Sequence, residues 1–301
     1  MFLPKKIMLL AALAAASFTT QAQKAARQKD AGAMSTATNA LLWEISGNSL
    51  ARPSYVYGTI HLVCPADLRV SEQLKQAFGK AQQVVMELDM DSPTMAQEMQ
   101  SDVLMSGGQN LQQLLSAADY AAVGNYLQAN TRLPIEKVGG VKPFILSSML
   151  YPALLGCTPA SYEATFVKMA QEQQKEVLGL ETVREQLGFF DQIPYAEQSK
   201  MLADMVNQEA AAKQEFQQMM TLYKAQDVEQ LRALTSKSMF GFQQYEDLLL
   251  NSRNQRWIAG ISQLATAKPT FFAVGAAHLG GPKGVLALLR QAGYQVRPVA
   301  Q

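Results

Sequence analysis

Ser54-Tyr55-Val56-Tyr57-Gly58-Thr59-Ile60-His61 has the pattern of a strand of aromatic and β-branched residues that ends near a glycine and leads to a histidine. Phe271-Phe272-Ala273-Val274-Gly275-Ala276-Ala277-His278 repeats this arrangement near the other end of the chain. The chain has 2 histidines, and both stand in a Gly-x-x-His spacing. One histidine after a strand is usually structural. Two in matching positions, with no third, predict two halves of one polar site.

The remaining pattern predicts where these two strands lie in the fold. Further strands are expected at residues 41–46, 83–89, 176–181 and 294–299. The strands at 41–46 and 54–61 are close enough in sequence to form a hairpin. The strand at 54–61, a helix at 71–80 capped by Ser71, and the strand at 83–89 have the order of a parallel crossover. Helices are expected near 93–105, 111–115, 116–129, 143–155, 161–174, 195–223 (as one long helix), 227–234, 251–265 and 282–292.

This order predicts an α/β (α+β) fold with a mixed, partly parallel sheet built from both chain ends. We expect a single domain over residues 41–300, with a large helical insertion at about 92–265. The chain has 301 residues, enough for a full-sized core. Its 26 basic and 25 acidic residues give a net charge of +1, and they form no basic stripe, so nucleic acid is not an expected partner.

The N-terminus has the features of a secretory signal peptide. Lys5 and Lys6 precede an apolar run at residues 7–16, and small residues follow up to Ala22. We expect a signal peptide at 1–22, cleavage after Ala22, a disordered lead-in at 23–40, and export to the periplasm or cell surface. The run is too short to span a bilayer, so no transmembrane span is expected in the mature chain. An uncleaved anchor is the alternative.

Two cysteines, Cys64 and Cys157, remain in the exported part of the chain. In an oxidising compartment an even pair favours one disulfide, which would tie the loop after His61 to the helical segment. The alternative, in which Cys64 is a soft metal ligand or a nucleophile, lacks any Cys-x-x-Cys pair to support it.

Four polar residues follow predicted strands: His61, Glu87, Glu181 and His278. In open α/β sheets, sites form beyond the carboxyl ends of the strands. Two imidazoles with one or two carboxylates suit a divalent transition metal, although no helical His-Glu-x-x-His motif is present. Glu87 or Glu181 could act as a general base. Glu181 could instead simply lie at a helix N-terminus.

Two arginines at the start of the predicted helix 251–265 are further candidates. Arg253 and Arg256 could hold a substrate carboxylate or stabilise a developing oxyanion. The alternative is that both lie on a solvated helix face.

Several short motifs together resemble the TraB/GumN family. They are Tyr57-Gly58-Thr59-Ile60-His61, Met86-Glu87-Leu88-Asp89, Gly179-Leu180-Glu181-Thr182, Arg253-Asn254 with Trp257, and Val274-Gly275-Ala276-Ala277-His278-Leu279. The resemblance runs from about Leu41 to Val299. This family includes the Tiki proteins, metal-dependent proteases with paired Gly-x-x-His motifs, and is similar in fold to erythromycin esterases and haem-binding ChaN proteins. The resemblance implies His61, Glu87 and His278 as the catalytic or metal-binding set.

The first functional hypothesis is therefore an exported metal-dependent hydrolase of the peptidase kind. Manganese, cobalt or zinc would be held by His61, Glu87 and His278, and the substrate would be a peptide or a small molecule. The second is a protein that binds haem or another small ligand without turnover, with His61 or His278 as an axial ligand. The third is an envelope interaction protein whose site is inactive.

Overall fold

The computed structural model describes residues 39–238 and 242–301. The predicted signal peptide at 1–22, and the predicted lead-in up to residue 38, lie outside the described residues.

The centre of the fold is one six-stranded mixed sheet with the order β4-β3-β5-β2-β1-β6. The strands are β1 (Leu42–Gly47), β2 (Ser54–Thr59), β3 (Gln83–Met86), β4 (Glu176–Gly179), β5 (Thr270–Gly275) and β6 (Tyr294–Pro298). Strands β4, β3, β5 and β2 are parallel neighbours, while β1 is antiparallel to both β2 and β6. The predicted mixed α/β fold and the β1–β2 hairpin are therefore confirmed.

The strands that lead to the polar residues are continuously apolar for a physical reason. Every residue of β2 and β3 is buried, and so are the first five of β5. Parallel strands covered by helices on both faces need apolar side chains at successive positions rather than alternate ones. Strands β2, β3 and β4 end sooner than predicted: β2 ends before His61, β3 before Glu87 and β4 before Glu181. The polar residues thus stand on loops.

Thirteen α-helices occur within residues 39–238 and 242–301. They are α1 (Glu72–Lys80), α2 (Met95–Asp102), α3 (Leu111–Leu114), α4 (Ala117–Thr131), α5 (Ile135–Val138), α6 (Pro143–Leu155), α7 (Tyr162–Glu172), α8 (Val183–Phe190), α9 (Tyr195–Asn207), α10 (Glu209–Lys224), α11 (Val228–Thr235), α12 (Ser252–Ala267) and α13 (Val285–Gln291). A π-helix, Asp247–Asn251, leads directly into α12. Short 3₁₀ turns occupy Ser106–Gly108, Phe242–Tyr245 and Ala276–His278.

Most predicted helices form close to their expected limits. Ser71 caps α1, and its side chain accepts a hydrogen bond from the Leu74 N–H, as expected. The single helix predicted at 195–223 is wrong, because Gln208 leaves helical geometry (φ −115°, ψ 37°) and separates α9 from α10. Helix α5 was not predicted, and α8 was anticipated only by the alternative that places Glu181 at a helix N-terminus.

Aromatic side chains fill the core between the sheet and α7. Tyr57 on β2 packs against Tyr162 and Phe166, with ring centroids 5.5 and 5.6 Å apart. Phe271 on β5 lies 5.2 Å from Phe166 and 5.0 Å from Phe78 of α1. These rings lock the sheet and the helices into one core, which fixes the strand ends that lead to the polar loops.

The predicted disulfide is present, joining Cys64 to Cys157 with 5.9 Å between their Cα atoms. Next to it, Val63 and Ala160 exchange two backbone hydrogen bonds of 3.0 and 2.7 Å. The loop after His61 is thus joined to the segment that begins α7. Among the helices that the structure describes, none is both long and apolar enough to cross a membrane.

Candidate functional site

The carboxyl ends of the four parallel strands bring the predicted polar residues together. Thr59 at the end of β2 is level with Gly275 at the end of β5, and Met86 at the end of β3 is level with Ala273. Met86 is in turn level with Gly179 at the end of β4. Along this edge of the sheet the loops therefore carry, in order, Glu181, Glu87, His278 and His61.

Gly275 lies at the centre of this group. A methyl group placed on its Cα would lie 3.3 Å from Glu87 Oε1, 3.5 Å from His278 Cδ2 and 3.9 Å from His61 Nε2. Its backbone angles (φ −52°, ψ 134°) are open to any residue, so a sharp turn does not explain the glycine. Gly275 instead leaves space where the three side chains converge. Its own N–H donates to Glu87 Oε1 at 2.8 Å.

His278 is buried and fixed in orientation. Its Nδ1 donates to Asn254 Oδ1 at 2.6 Å, and the Asn254 amide donates back to the His278 backbone carbonyl. The lone pair therefore sits on Nε2, which accepts from Arg253 Nη1 at 3.3 Å and lies 3.8 Å from Glu87 Oε1. Burial lowers the pKa of His278 to about 3, with the positive charge of Arg253 adding to the effect and Glu87 opposing it.

His61 has the opposite setting. Its side chain is 68% exposed, and its Nδ1 lies 3.0 Å from Glu163 Oε1. Thr59 and Ser161 donate to the same carboxylate at 2.7 and 2.8 Å, so Glu163 is held in one orientation. Desolvation of the ring lowers the pKa of His61, but the hydrogen bond and charge of Glu163 outweigh it and raise the pKa above its ordinary value. Glu163 was not predicted.

Arg253 joins the two carboxylates of the site. Its Nη2 donates to Glu87 Oε2 at 2.6 Å and to Glu181 Oε2 at 2.7 Å, and its Nε lies 3.1 Å from both Glu181 oxygens. Its Nη1 donates to the Leu249 carbonyl and to His278. All five N–H groups of the guanidinium thus have acceptors, and none remains for a substrate carboxylate.

Glu87 is kept ionised by this arrangement. Burial raises its pKa, but the charges of His278, Arg253 and His61 and the Gly275 N–H together hold it well below its usual value. Gln186 of α8 also donates to Glu87 Oε2, at 3.2 Å.

The structure does not place the Glu181 and Arg256 side chains around the space over Gly275. Glu181 lies behind Arg253 and faces a separate cavity lined by Asp89 and Glu185. The Arg256 side chain is 53% exposed, lies 3.5 Å from Glu181 and stacks 4.2 Å from the centroid of the Phe189 ring. Thr182, and not Glu181, caps α8. Glu181 therefore supports Arg253 from the far side, and Arg256 contacts Glu181.

Neither Glu163 nor Asn254 was assigned a role from the sequence, although both orient a histidine. Glu163 lies in the first turn of α7, 102 residues from His61, and a glutamate there reads as ordinary helix-end chemistry. Asn254 follows Arg253 directly. Its place in the Arg253-Asn254 motif, one of the motifs shared with the TraB/GumN family, is the signal in the sequence that could have identified it as a site residue.

The donor set fits a divalent transition metal in type and orientation. Metal-binding histidines almost always donate their second ring nitrogen to a fixed acceptor, which Glu163 and Asn254 supply here. The space over Gly275, with Glu87 Oε1 and His61 Nε2 at its rim, lies where such an ion would sit. Among the described residues, however, no three His, Cys, Asp or Glu side chains are close enough to form a metal-binding group, so binding would require them to draw together.

A cavity of about 280 Å³ opens beside the two histidines. Its floor is the loop Gly275–His278, and its walls come from α6, α10, α11 and the π-helix. The apolar part of the walls includes Phe144, Tyr151, Met219, Leu249 and Leu250, and the polar part includes Thr235, Ser236 and Glu246.

Comparison with known proteins gives two matches. The model described as the TraB/PrgY/gumN family matches residues 41–298. A protein named Metalloprotease TIKI2, from Danio rerio, is 25% identical over an alignment 343 positions long, gaps included, which covers 92% of this chain. The chain spans 63% of that relative's length. No solved structure matches the chain.

Proposed function

The chain belongs to the TraB/PrgY/gumN family, and from this membership and the site we propose that it is an exported metal-dependent hydrolase of the peptidase class. The name of this relative, a metalloprotease, supports the reaction class. Export is supported by the leader pattern at residues 1–22 and by the Cys64–Cys157 disulfide, which suits an oxidising compartment.

One observation carries the proposal: both histidines have Nδ1 fixed by an acceptor, and the opposite edges of both rings converge with Glu87 around Gly275. The His278 Nε2 would exchange its hydrogen bond from Arg253 for the ion. His61 Nε2, His278 Nε2 and Glu87 Oε1 would hold manganese, cobalt or zinc. Such an ion, when bound, supplies a Lewis acid that polarises a carbonyl and lowers the pKa of water.

The chain's own residues prepare this site electrostatically. Arg253 and the Gly275 N–H keep Glu87 ionised, so Oε1 is available to bind a cation or to accept a proton from an attacking water. Arg253 also lines the cavity, but its N–H groups are all used within the protein, so its role is to hold Glu87 ionised and in place rather than to bind the substrate. Glu181 neutralises and orients Arg253, which makes it a positioning residue rather than the general base.

Elemental analysis of the mature chain tests the proposal, beside the double variant His61→Ala/His278→Ala. Glu72→Ala, an exposed change on α1, is the matched control. We expect near-stoichiometric metal and peptide hydrolysis in the unaltered chain and the control, and neither in the double variant. Hydrolysis that survives the double variant, or an unaltered chain that takes up no metal after loading with manganese, cobalt and zinc, would refute it.

The cavity, together with an adjoining one of about 210 Å³, also supports a second candidate, a protein that binds an apolar ligand such as haem without turnover. His61, with its exposed ring, would be the axial ligand rather than the buried His278. An absorption band that appears on adding haem and is lost in His61→Ala would support this function. A spectrum unchanged by the substitution would exclude it.

A further inference from the structure

We infer that the cavity beside the two histidines is a specificity pocket for a bulky apolar side chain, such as Phe or Leu, next to the bond that is hydrolysed. The inference rests on the proposed function for the identity of the substrate as a peptide. It adds the substrate's side-chain class.

The position of the cavity supports a role in recognition. The loop Gly275–His278 forms its floor, and the His61 ring is at its edge, so an occupant would contact both candidate site histidines. A second cavity of about 210 Å³ adjoins it, sharing Ile60, His61, Tyr151 and Met219. A peptide lying across His61 therefore has space on either side of the ring.

The charges that line the cavity are already neutralised. Arg253 is paired with Glu87 and Glu181, Glu246 with Arg232, and His61 with Glu163. A charged substrate side chain would lose its hydration without gaining a free partner, which is costly. The cavity therefore selects against Lys, Arg, Asp and Glu.

Three of the hydroxyl groups that line it are similarly occupied. Thr59 donates to Glu163 at 2.7 Å, Thr235 donates to the Leu231 carbonyl at 3.0 Å, and Tyr223 donates to the Gly58 carbonyl at 3.0 Å. The surface that remains available to a bound side chain is mainly aromatic and aliphatic, and Phe144, Met219 and Leu249 contribute to it. The volume is at the lower end of small-molecule sites, which suits one large side chain.

Binding of blocked peptides tests the inference without requiring turnover. The probes are acetyl-Ala-Ala-Xaa-Ala-Ala-amide with Phe, Leu, Ala, Lys or Glu at Xaa, added to metal-free protein. Calorimetry gives the affinity, and the NMR signals of the two histidine rings report whether the peptide lies beside them. Because a Phe or Leu side chain buries more apolar surface than Ala, the Phe and Leu peptides should bind roughly 10- to 100-fold tighter than the Ala peptide.

Met219→Trp fills the cavity from α10, and Gln218→Trp places the same side chain on an exposed position of that helix. We expect Met219→Trp to lose the preference for Phe and Leu, while Gln218→Trp retains it. Circular dichroism and melting temperature establish that both variants fold. If Met219→Trp fails to fold, Met219→Ala, which enlarges the cavity, should shift the preference from Leu towards Phe or Trp.

The outcomes separate this inference from the proposed function. Preference for Phe and Leu with no cleavage after zinc loading supports the pocket and contradicts the hydrolase. Metal-dependent cleavage that is equal for Phe, Ala and Lys peptides supports the hydrolase and overturns the pocket. Peptide binding that leaves both histidine signals unshifted, or that Met219→Trp does not weaken, also overturns the pocket.

Discussion

His61 and His278 share one Gly-x-x-His spacing but have opposite surroundings. His278 is held among Asn254, Arg253 and Trp257, with its side chain 6% exposed, whereas His61 opens into the cavity and is tied to Glu163. A carboxylate partner favours the protonated ring, and burial beside an arginine favours the neutral one. The two histidines therefore occupy matching positions, but the surroundings favour a protonated ring for His61 and a neutral ring for His278.

This difference predicts two separate histidine titrations. By NMR, the signals of the two rings should give one pKa well below 6.5, near 3 for His278, and one above 6.5 for His61. Glu163→Gln should lower the pKa of His61 and leave that of His278 unchanged, with Glu172→Gln on the exposed face of α7 as the control. A single shared pKa near 6.5 would contradict the assignment.

The same shifts set how folding stability depends on pH. His278 binds a proton in the unfolded chain near pH 6.5 but in the folded chain only near pH 3. Its contribution is thus present above pH 6.5 and is lost as the pH falls from 6.5 towards 3. His61 has a raised folded pKa, so its contribution is present below pH 6.5 and is lost as the pH rises through that folded value.

The two neighbouring arginines of α12 predict a large contrast in stability. Arg253→Met leaves the buried Glu87 and Glu181 without their shared partner and should cost about 3–5 kcal/mol of the free energy of unfolding. Arg256→Met, one turn further along, removes an exposed side chain and should cost less than about 1 kcal/mol. Urea unfolding of both variants measures this, and equal losses would show that Arg253 is not the centre of the site.

At the scale of elements, the sequence predicts what local patterns control. Apolar runs predict the parallel strands, and Ser71 predicts the start of α1, because these depend on residues a few positions apart. The break at Gln208 carries no proline or glycine to mark it. Glu163 was missed for a related reason: its role depends on a contact with His61 across 102 residues.

We expect the Cys64–Cys157 disulfide to help maintain the contact between His61 and Glu163. It joins the loop after His61 to the segment before α7, next to the Val63–Ala160 bridge. Replacing both cysteines by serine should cost about 2–4 kcal/mol of stability. It should also loosen the His61–Glu163 pair and lower the pKa of His61.

Reduction by dithiothreitol provides the control for that variant. It should have the same two effects on the unaltered chain and none on the double serine variant. If the NMR titration of His61 is the same with and without the bridge, the disulfide stabilises the fold but does not position the site.

At the scale of the whole molecule, strand order lies beyond local patterns. The strand-helix-strand pattern correctly predicts that β2 and β3 are parallel, but β5, nearly 200 residues later, lies between them. That insertion places the second Gly-x-x-His motif beside both Glu87 and His61. Long-range pairing, and not local propensity, therefore assembles the site.

The pairing of the last strand, β6, with β1 predicts what removing β6 would do. β6 pairs with β1 over five residues and buries Tyr294 and Val296. A chain that stops after Gly293 loses this burial and exposes the edge of β1, so we expect a loss of at least about 3–5 kcal/mol and a tendency to aggregate. A chain that stops after Val299 keeps β6 and the hydrogen bond from the Val299 N–H to the Leu42 carbonyl, and is the matched control. Urea unfolding and light scattering compare the two chains.

The shorter chain should also lose the raised pKa of His61, because β1 supports β2 and β2 leads to His61. A truncated chain that unfolds cooperatively at the same urea midpoint as the control would show that the sheet does not depend on its C-terminal edge.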